Sequence, residues 1–416
     1  MPGQHSIVGA WRQEERGIMV PLALPGLRVI SQQQTLQGEL EVTVIGTQTR
    51  GTCPRCGQVS VKVHDVRSRR KRDVALGACP VVLVLRKRRF RCRRCARAFT
   101  EPDTACGWRR RTTARLREQL GEQACTRPVA QVAADHGVGP RLVRECLEQV
   151  AEQRLREDGR TLDEAAPLPT PRFLGLDEFA RRKGRRYDTI LCDLEQRRAL
   201  EVSAGRTQAE VVRLLERLDD PARVEAVSMD MSAPFREAVR LCLPQAQVVA
   251  DHFHVVQHVG KALAKVVGRC ARSDEAGRNA LKGQRHLFVR PREALAAEEE
   301  QARAQLAEAF PELAAAWAAK EALRTWYATA TAQTAAAGLD AWLAAVERDG
   351  PKELRQALTA FQTWREEILA FFQFLPTRLS NGFVEGKNNR TKALMRQAYG
   401  YRNRRNLRLR ILTEVA

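Results

Sequence analysis

Apolar positions along the chain follow two periods, and the places where the period changes divide it. Up to about residue 105, short apolar runs such as Leu40-Glu-Val-Thr-Val-Ile45 and Val81-Val-Leu-Val-Leu85 lie between turn residues and paired cysteines, the pattern of strands in a small β-rich unit. From about 112 to 158 the spacing becomes helical, and Asp163 to Pro171, rich in proline and acidic residues, reads as a linker. Residues 172–258 alternate strand-like and helical segments; 260–375 are Ala-rich and helical around Trp317, Trp326, Trp342 and Trp364; a last helix begins after Asn381-Gly382. Aromatic residues at helical spacing in an Ala-rich bundle are expected in its core. The chain is therefore α/β and multidomain: a β-rich unit at 1–105, a helical unit at 110–160, an α/β unit from 172–258 and 378–416, and an α-helical insertion at 259–377.

Within the α/β unit the order of elements brings acids to particular places. Phe173-Leu-Gly-Leu-Asp177 reads as a strand ending on an acid, and Tyr187–Leu194 with Ala199–Val202 forms a hairpin across Glu195 to Arg198. Residues 207–218 make an amphipathic helix with Val211, Val212, Leu214, Leu215 and Leu218 inward, and Arg223–Met229 is a strand delivering Asp230. A helix from Pro234 to Leu243 and the strand Gln247–Ala250 complete a β-β-β-α-β-α-β run. That order resembles the layout of ribonuclease-H-like nucleotidyl transferases, which implies a further carboxylate from a late helix. Here it is Glu385, in the first turn after Asn381-Gly382, with Asn388, Asn389, Lys392 and Arg396 recurring on nearly the same face. Alone, each acid reads as a solvated charge or a helix cap; the ordered set carries the reading.

Charge narrows the partner. Lys and Arg total 70 against 49 Asp and Glu in 416 residues, a formal charge of +21, which favours a polyanion. The excess is concentrated in Arg67, Arg69, Arg70, Lys71, Arg72, Arg86, Lys87, Arg88, Arg89, Arg91, Arg93, Arg94 and Arg97, among which only Asp73 is acidic. No basic N-terminal start leads into a long apolar core, and the run Val81–Leu85 is far short of a span, so a soluble cytoplasmic, nucleoid-associated protein without a membrane partner is expected. In a reducing compartment, close pairs among the eleven cysteines read as metal ligands, and the other seven as small buried residues.

Cys53-Pro-Arg-Cys56 and Cys92-Arg-Arg-Cys95 are such pairs. Each can form a tight knuckle, and together they supply four thiolates to one tetrahedral structural Zn²⁺ with no position open for catalysis. Their separation exceeds the usual ribbon spacing, and the strand Val81–Leu85 with a basic turn near Arg70 would fill it. Further on, Val129, Val132 and Ala133 form one apolar face, Gly137 permits a sharp turn, and Leu142, Val143, Cys146 and Leu147 form the face of a second helix. This is a helix-turn-helix pattern, with Arg141 and Arg144 pointing outward toward phosphates or guanine edges.

The chain resembles bacterial insertion-sequence transposases of the DDE type, in the group with an N-terminal zinc ribbon. The resemblance rests on Cys53-Pro-Arg-Cys56, Arg72-Asp-Val, Arg89-Phe-Arg-Cys-Arg-Arg-Cys95, Leu174-Gly-Leu-Asp-Glu-Phe179, Val227-Ser-Met-Asp-Met231, Val249-Ala-Asp-His-Phe-His-Val255, Asn381-Gly-Phe-Val-Glu-Gly-Lys387 and Tyr399-Gly-Tyr-Arg-Asn403, which span nearly the whole chain. It implies binding of terminal inverted repeats, then metal-dependent strand cleavage and transfer into target DNA. The triad Asp177, Asp230 and Glu385 would hold two Mg²⁺ or Mn²⁺ ions about 4 Å apart, stabilising the attacking and leaving oxygens. Asp251 and His254 are auxiliary. Candidate contacts to double-stranded DNA are Arg69, Arg70, Arg72, Arg141, Arg144, Lys387, Arg390, Lys392 and Arg396. A homodimer or higher oligomer follows from the need to bring two element ends together. A catalytically silent DNA-binding regulator and a structure-specific nuclease are the alternatives.

Overall fold

The computed structural model describes residues 24–102, 110–182, 184–273, 275–375, 379–401 and 403–413. The start of the first predicted unit (1–23), Cys106, residue 378 at the predicted boundary, Arg402 of the Tyr399–Asn403 motif and residues 414–416 lie outside them. The chain divides into two compact units, Met1–Cys125 with Val129–Val150, and Thr126–Pro128 with Ala151–Ala416.

The first unit begins with β1 (Leu27–Gln34), β2 (Leu40–Gly46), the two-residue pair β3 (Gly51–Thr52) and β4 (Val59–Ser60), β5 (Val63–Leu76), β6 (Cys79–Arg91) and β7 (Ala98–Thr100). The sheet runs β1-β2-β6-β5, with β7 also on β6. The two predicted strand segments lie side by side and parallel, Leu40 opposite Val81, and alternate residues Val42, Val44, Val81, Leu83 and Leu85 form the core. The basic stretch around Arg70, read as a turn, is instead mid-strand in β5, and the turn comes at Gly77, whose φ is 58°. Its strand character was hidden because β5 is an edge strand with mostly exposed side chains, where Lys and Arg block further pairing.

Helices α1 (Ala114–Thr126), α2 (Val129–Asp135) and α3 (Pro140–Glu157) follow, packed through Leu116, Leu120, Ala124, Val132, Ala133, Val143, Cys146 and Leu147. Residues 136–139 join α2 to α3, with Gly137 at φ 54°. The predicted β-rich and helical units are tied together as one body by the Arg72-Asp73 pair. Backbone N–H and C=O of Arg72 bond Arg111 and Thr113 at 2.8 and 2.9 Å, and its guanidinium donates to the Gly137 carbonyl at 2.7 Å. Asp73, 3 % exposed, accepts from Thr113 Oγ1 at 2.7 Å and from Arg115 Nε at 2.8 Å.

The second unit is built on β8 (Phe173–Arg182), β9 (Arg186–Asp193), β10 (Arg198–Ala204), β11 (Ala226–Met229) and β12 (Gln247–Ala250), ordered β10-β9-β8-β11-β12. The β8-β9-β10 meander is antiparallel; β11 runs parallel to both β8 and β12. Alternation splits each central strand between two faces. Leu174, Leu176 and Leu191 pack with α4 (Gln208–Leu215), α5 (Ala233–Cys242) and α6 (His252–Cys270), while Phe179, Ile190 and Cys192 pack under α14 and α15, described below. Helices α7 (Glu275–Leu281), α8 (Arg285–Val289), α9 (Ala297–Ala309), α10 (Pro311–Thr329), α11 (Ala335–Asp349), α12 (Lys352–Thr363) and α13 (Arg365–Ala370) continue from α6. Trp326, Trp342 and Trp364 are buried among them, and the half-buried Trp317 stacks under the Arg303 guanidinium at 3.8 Å. The chain returns to the sheet as α14 (Gly382–Gln397) and α15 (Arg404–Thr413).

Several boundaries differ from expectation. The helical part begins at His252, so a division at 258/259 would cut α6. The last segment holds two helices, because the short Tyr399-Gly400 break has Tyr399 at φ 52° and Gly400 at φ 95°. Asp163–Pro171 is not a free linker: Leu168 is 5 % exposed and exchanges backbone bonds with Arg217 and Asp219. Of the cysteines outside the pairs, Cys125, Cys146, Cys192 and Cys270 are buried, but Cys79 and Cys242 are only half-buried.

One buried ion network locks α15 to the sheet. Glu201 on β10, 1 % exposed, accepts from Arg408 at 2.5 and 2.7 Å and from Arg217 at 2.8 Å. Burial pushes the Glu201 carboxyl up, but Arg408 and the other donors outweigh it and hold it below its ordinary 4.5. Its stabilising contribution is thus complete above that value and disappears as pH falls through the lowered one. Glu201→Gln, which leaves Arg408 buried without its counter-ion, is expected to destabilise by about 3–5 kcal/mol at neutral pH. Urea unfolding checks this, and the difference from wild type should shrink in acid.

Candidate functional site

The parallel register sets Leu176, Met229 and Ala250 abreast. The next residue on each strand is an aspartate, so Asp177, Asp230 and Asp251 stand side by side where β11 and β12 end. Asp177 does not end its strand as expected; β8 runs on to Arg182 because β9 keeps pairing with it past the end of β11. Asp177 is 7 % exposed, and its carboxylate accepts from its neighbour Glu178 N–H and from Asn388 Nδ2, both at 2.7 Å. Asp230 is more open, with about 30 % of its side chain exposed.

His254, one turn into α6, lies between two of these acids. Its Nδ1 is 2.7 Å from Asp230 Oδ1 and 3.0 Å from Asp251 Oδ2, with the better aligned hydrogen bond going to Asp251. Asp251, 2 % exposed, also accepts the backbone N–H of Asn381 at 3.0 Å, and Asn381 Nδ2 donates to the Leu176 carbonyl at 3.0 Å. The first turn of α14 is thereby pinned to the middle of β8 at Leu176 and to the end of β12. Gly175 allows this close approach: a Cβ there would lie 2.6 Å from Val384. Asn381, Val384 and Asn388 face the strand, and Glu385, half-buried, lies about 40° around the helix from Asn381, on the side away from Val384. Among the described residues, the carboxylate and imidazole groups that lie three together within 4.8 Å of one another are Asp230, Asp251 and His254; Asp177 and Glu385 both stand outside that group.

The electrostatics are those of a crowded anionic site. Burial, and then the charge of Asp230, push Asp177 up to about 7. Burial alone would lower His254, but Asp230 and Asp251 outweigh it and lift the imidazole to about 10. Burial likewise raises Asp251, and His254 and the Asn381 N–H more than reverse it, so it stays below its ordinary value. Asp177 and Asp230 line a cleft of about 750 Å³ with Arg206, Thr207 and Ser232 on its wall. Asn388 Oδ1 is buried with no hydrogen-bond partner among the described residues. Two carboxylates that repel one another at one cleft are donors suited to a hard divalent cation.

The candidate DNA-contacting side chains separate by position. Arg141, 89 % exposed and paired with Glu145 at 3.1 Å, and Arg144 project from α3. Arg69 and Arg70 are exposed on β5, Arg70 being held by Glu41. Arg390, Lys392 and Arg396 are exposed on α14. Lys387 is not available: it is 3 % exposed, on the buried stripe with Val384, Thr391 and Leu394, and its charge acts on buried Cys192. Arg72 is committed to Gly137 and is a structural tie in the first unit.

Cys53, Cys56, Cys92 and Cys95 converge so that their sulfurs lie within 4.8 Å of one another. Each pair closes as a knuckle, with Cys53 N–H on Gln58 O and Cys92 N–H on Arg97 O, both 2.9 Å. The residue after the second cysteine is left-handed in both, Gly57 at φ 72° and Ala96 at φ 54°. The Gln58 backbone and then Cys95 draw Cys56 down to about 7, and the hydrogen bond with Cys56 sends Cys95 up to about 12. Four thiols at this distance cannot all ionise without a cation, and tetrahedral zinc satisfies them.

A family model described as transposase matches residues 174–411, more than half the chain. The chain belongs to the ISL3 family of DDE transposases. A second model, described as the zinc-finger of transposase IS204/IS1001/IS1096/IS1165, matches residues 49–95 and so covers all four knuckle cysteines. The ISL3 transposase is 28 % identical over 370 residues to the transposase for insertion sequence element IS1001 of Bordetella parapertussis, covering 86 % of this chain and 87 % of that protein. It is 26 % identical over 258 residues to the transposase for insertion sequence element IS1557 of Mycobacterium tuberculosis, covering 56 % and 57 %. Transposase function, DNA as its partner and a structural zinc in the N-terminal knuckles follow from this membership. Among the described residues, no helix is long and apolar enough to cross a membrane.

Sequence reasoning missed the roles of Asn381 and Asp73 in this ISL3 transposase. Asn381 was visible only as a turn signal, and nothing local marks it as the group that fixes α14 against Leu176 and Asp251. Asn388 was placed on the Glu385 face, yet its bond to Asp177 spans 211 positions and has no local signature.

Proposed function

We propose that the α/β unit is a ribonuclease-H-like core that cleaves and joins DNA at the ends of an insertion sequence, with Asp177, Asp230 and Glu385 as the metal-holding triad. The carrying observation is the register that sets Asp177 and Asp230 abreast on adjacent parallel strands, in one cleft and in electrostatic conflict. Two bound Mg²⁺ ions would supply charge stabilisation at the attacking and leaving oxygens. The chain's own residues prepare that event. Asp177 and Asp230 offer oxygen ligands from a rigid sheet, Asn388 orients the Asp177 carboxylate, and Asn381 sets the depth at which the Glu385 helix meets the strand. His254, bearing positive charge between Asp230 and Asp251, holds Asp230 toward the cleft. Arg206, fixed by Glu178 at 2.7 Å and stacked over Tyr187, presents a cation on the opposite wall for a phosphate.

The remaining assignments complete the reading. Helices α2 and α3 act as a helix-turn-helix that binds the terminal inverted repeats, Arg141 and Arg144 facing the duplex, with Arg69 and Arg70 of the zinc-bearing sheet and Arg390, Lys392 and Arg396 on phosphates. The helices after His254 form an insertion between the second and third acids, and a dimer or larger assembly holds both ends. The test uses the full chain, labelled duplexes carrying the DNA on either side of its gene, and a target plasmid. Mg²⁺-dependent nicking at matched inverted termini and joining of the new 3′ ends, both stopped by EDTA, are expected. Binding of those termini with no Mg²⁺-dependent cleavage would overturn the proposal.

A further inference from the structure

Beside the acid cluster lies a second cavity of about 750 Å³, walled by α6, α8 and α10, that the reaction described above does not use. Its size is in the range of small-ligand sites, roughly 300–1,000 Å³. It shares a helical turn with the acids, because His252 and Phe253 sit between Asp251 and His254, and the Phe253 and His254 rings are 5.6 Å apart.

The lining has a definite chemistry. Phe253 is a large apolar ring left 44 % exposed at the wall. Behind it His252, Tyr327 and Phe371 form a ring cluster, with centroids 5.2 Å apart for His252–Phe371 and 5.4 Å for Tyr327–Phe371. The Tyr327 hydroxyl is buried and has no hydrogen-bond partner among the described residues, a polar atom set in an aromatic floor. No lining residue is acidic. Two of the lining cations are already engaged: Lys320 donates to the Phe288 and Arg290 carbonyls at 2.7 Å, and Arg324 pairs with Glu321 and Glu293. Lys261 and Arg285 carry their charges exposed at the edge.

Aromatic walls, one uncommitted hydroxyl and exposed cations at the edge match a planar heterocycle with a hydrogen-bonding edge and a phosphate beside it. We propose that this cavity receives an unpaired nucleobase of the DNA strand engaged at the neighbouring acids, stacking it on Phe253, meeting its edge with Tyr327 and its flanking phosphate with Lys261 and Arg285. The inference rests on the DNA-cleaving reading above and adds a base-binding subsite to it. Holding one base out of the duplex would fix the position of the adjacent phosphodiester over Asp177 and Asp230.

The test measures affinity by fluorescence anisotropy in Ca²⁺, using a labelled forked duplex with unpaired deoxythymidines at the junction and the same fork with abasic residues there. The full-length wild type should prefer the base-bearing fork about tenfold. Phe253→Ala, at an exposed position, should erase that preference while binding the abasic fork as wild type does, and Tyr327→Phe should reduce it about threefold. Equal affinity of wild type for both forks, or an equal loss on both in Phe253→Ala, would overturn the subsite. Mg²⁺-dependent cleavage is scored on the same proteins to separate the two readings. Cleavage with no base preference overturns the subsite alone; base preference without cleavage supports the subsite and counts against the proposed chemistry.

Discussion

Glu385→Gln is expected to lower Mg²⁺-dependent cleavage and joining by roughly 10³-fold, about 4 kcal/mol of barrier, while affinity for the element termini stays within about twofold. The exchange keeps size and hydrogen-bonding capacity but removes the anionic oxygen that a hard cation requires. Its structural cost is small. Glu385 is half-buried in the first turn of α14, where a negative charge gains only about 0.3–1 kcal/mol from the helix dipole. The helix itself is fixed by Asn381 and Asn388, which the substitution leaves in place. Unchanged circular dichroism and duplex binding beside lost chemistry would assign Glu385 to metal holding. Full activity would instead direct attention to Asp251, which already stands within 4.8 Å of Asp230 and His254.

The second large effect concerns stability. Stripping zinc with a strong chelator, or replacing Cys92 by Ser, should unfold the knuckle region of the first unit and leave the second unit's thermal transition in place. The sulfurs join two knuckles 36 positions apart, Cys56 to Cys92, across a β3-β4 pair of only two residues per strand that has little apolar contact of its own. Metal binding to such a site is folding energy, on the order of 10–16 kcal/mol at neutral pH, so its loss is not offset locally. Calorimetry with limited proteolysis in residues 49–95, beside zinc content by elemental analysis, checks this. Freshly purified protein containing no zinc and indifferent to the chelator would refute it.

How much was legible in the sequence can be argued from particular elements. Strands with one clean face, such as Leu40–Ile45 and Val81–Leu85, were readable because period-two burial writes itself into local spacing. β5 carries no such alternation, because it is an edge strand with most of its side chains exposed, so its basic stretch around Arg70 looks locally like a turn. Lys387 is the converse case: its charge suggests solvent, while its helical phase with Val384, Thr391 and Leu394 puts it inside.

The sequence by itself determined the α/β order, the two cysteine pairs and the long helical stretch that follows β12, since all of these follow from short-range periodicity, residue chemistry and order along the chain. Only the tertiary structure decided that the β-rich and first helical parts form one compact body tied by Asp73, and that Asp251 stands abreast of Asp177 and Asp230. It also decided that Asn388 holds the Asp177 carboxylate and that an aromatic cavity opens one helical turn from the acids. Those facts depend on strand register and on contacts between residues up to 211 positions apart, which no local pattern encodes.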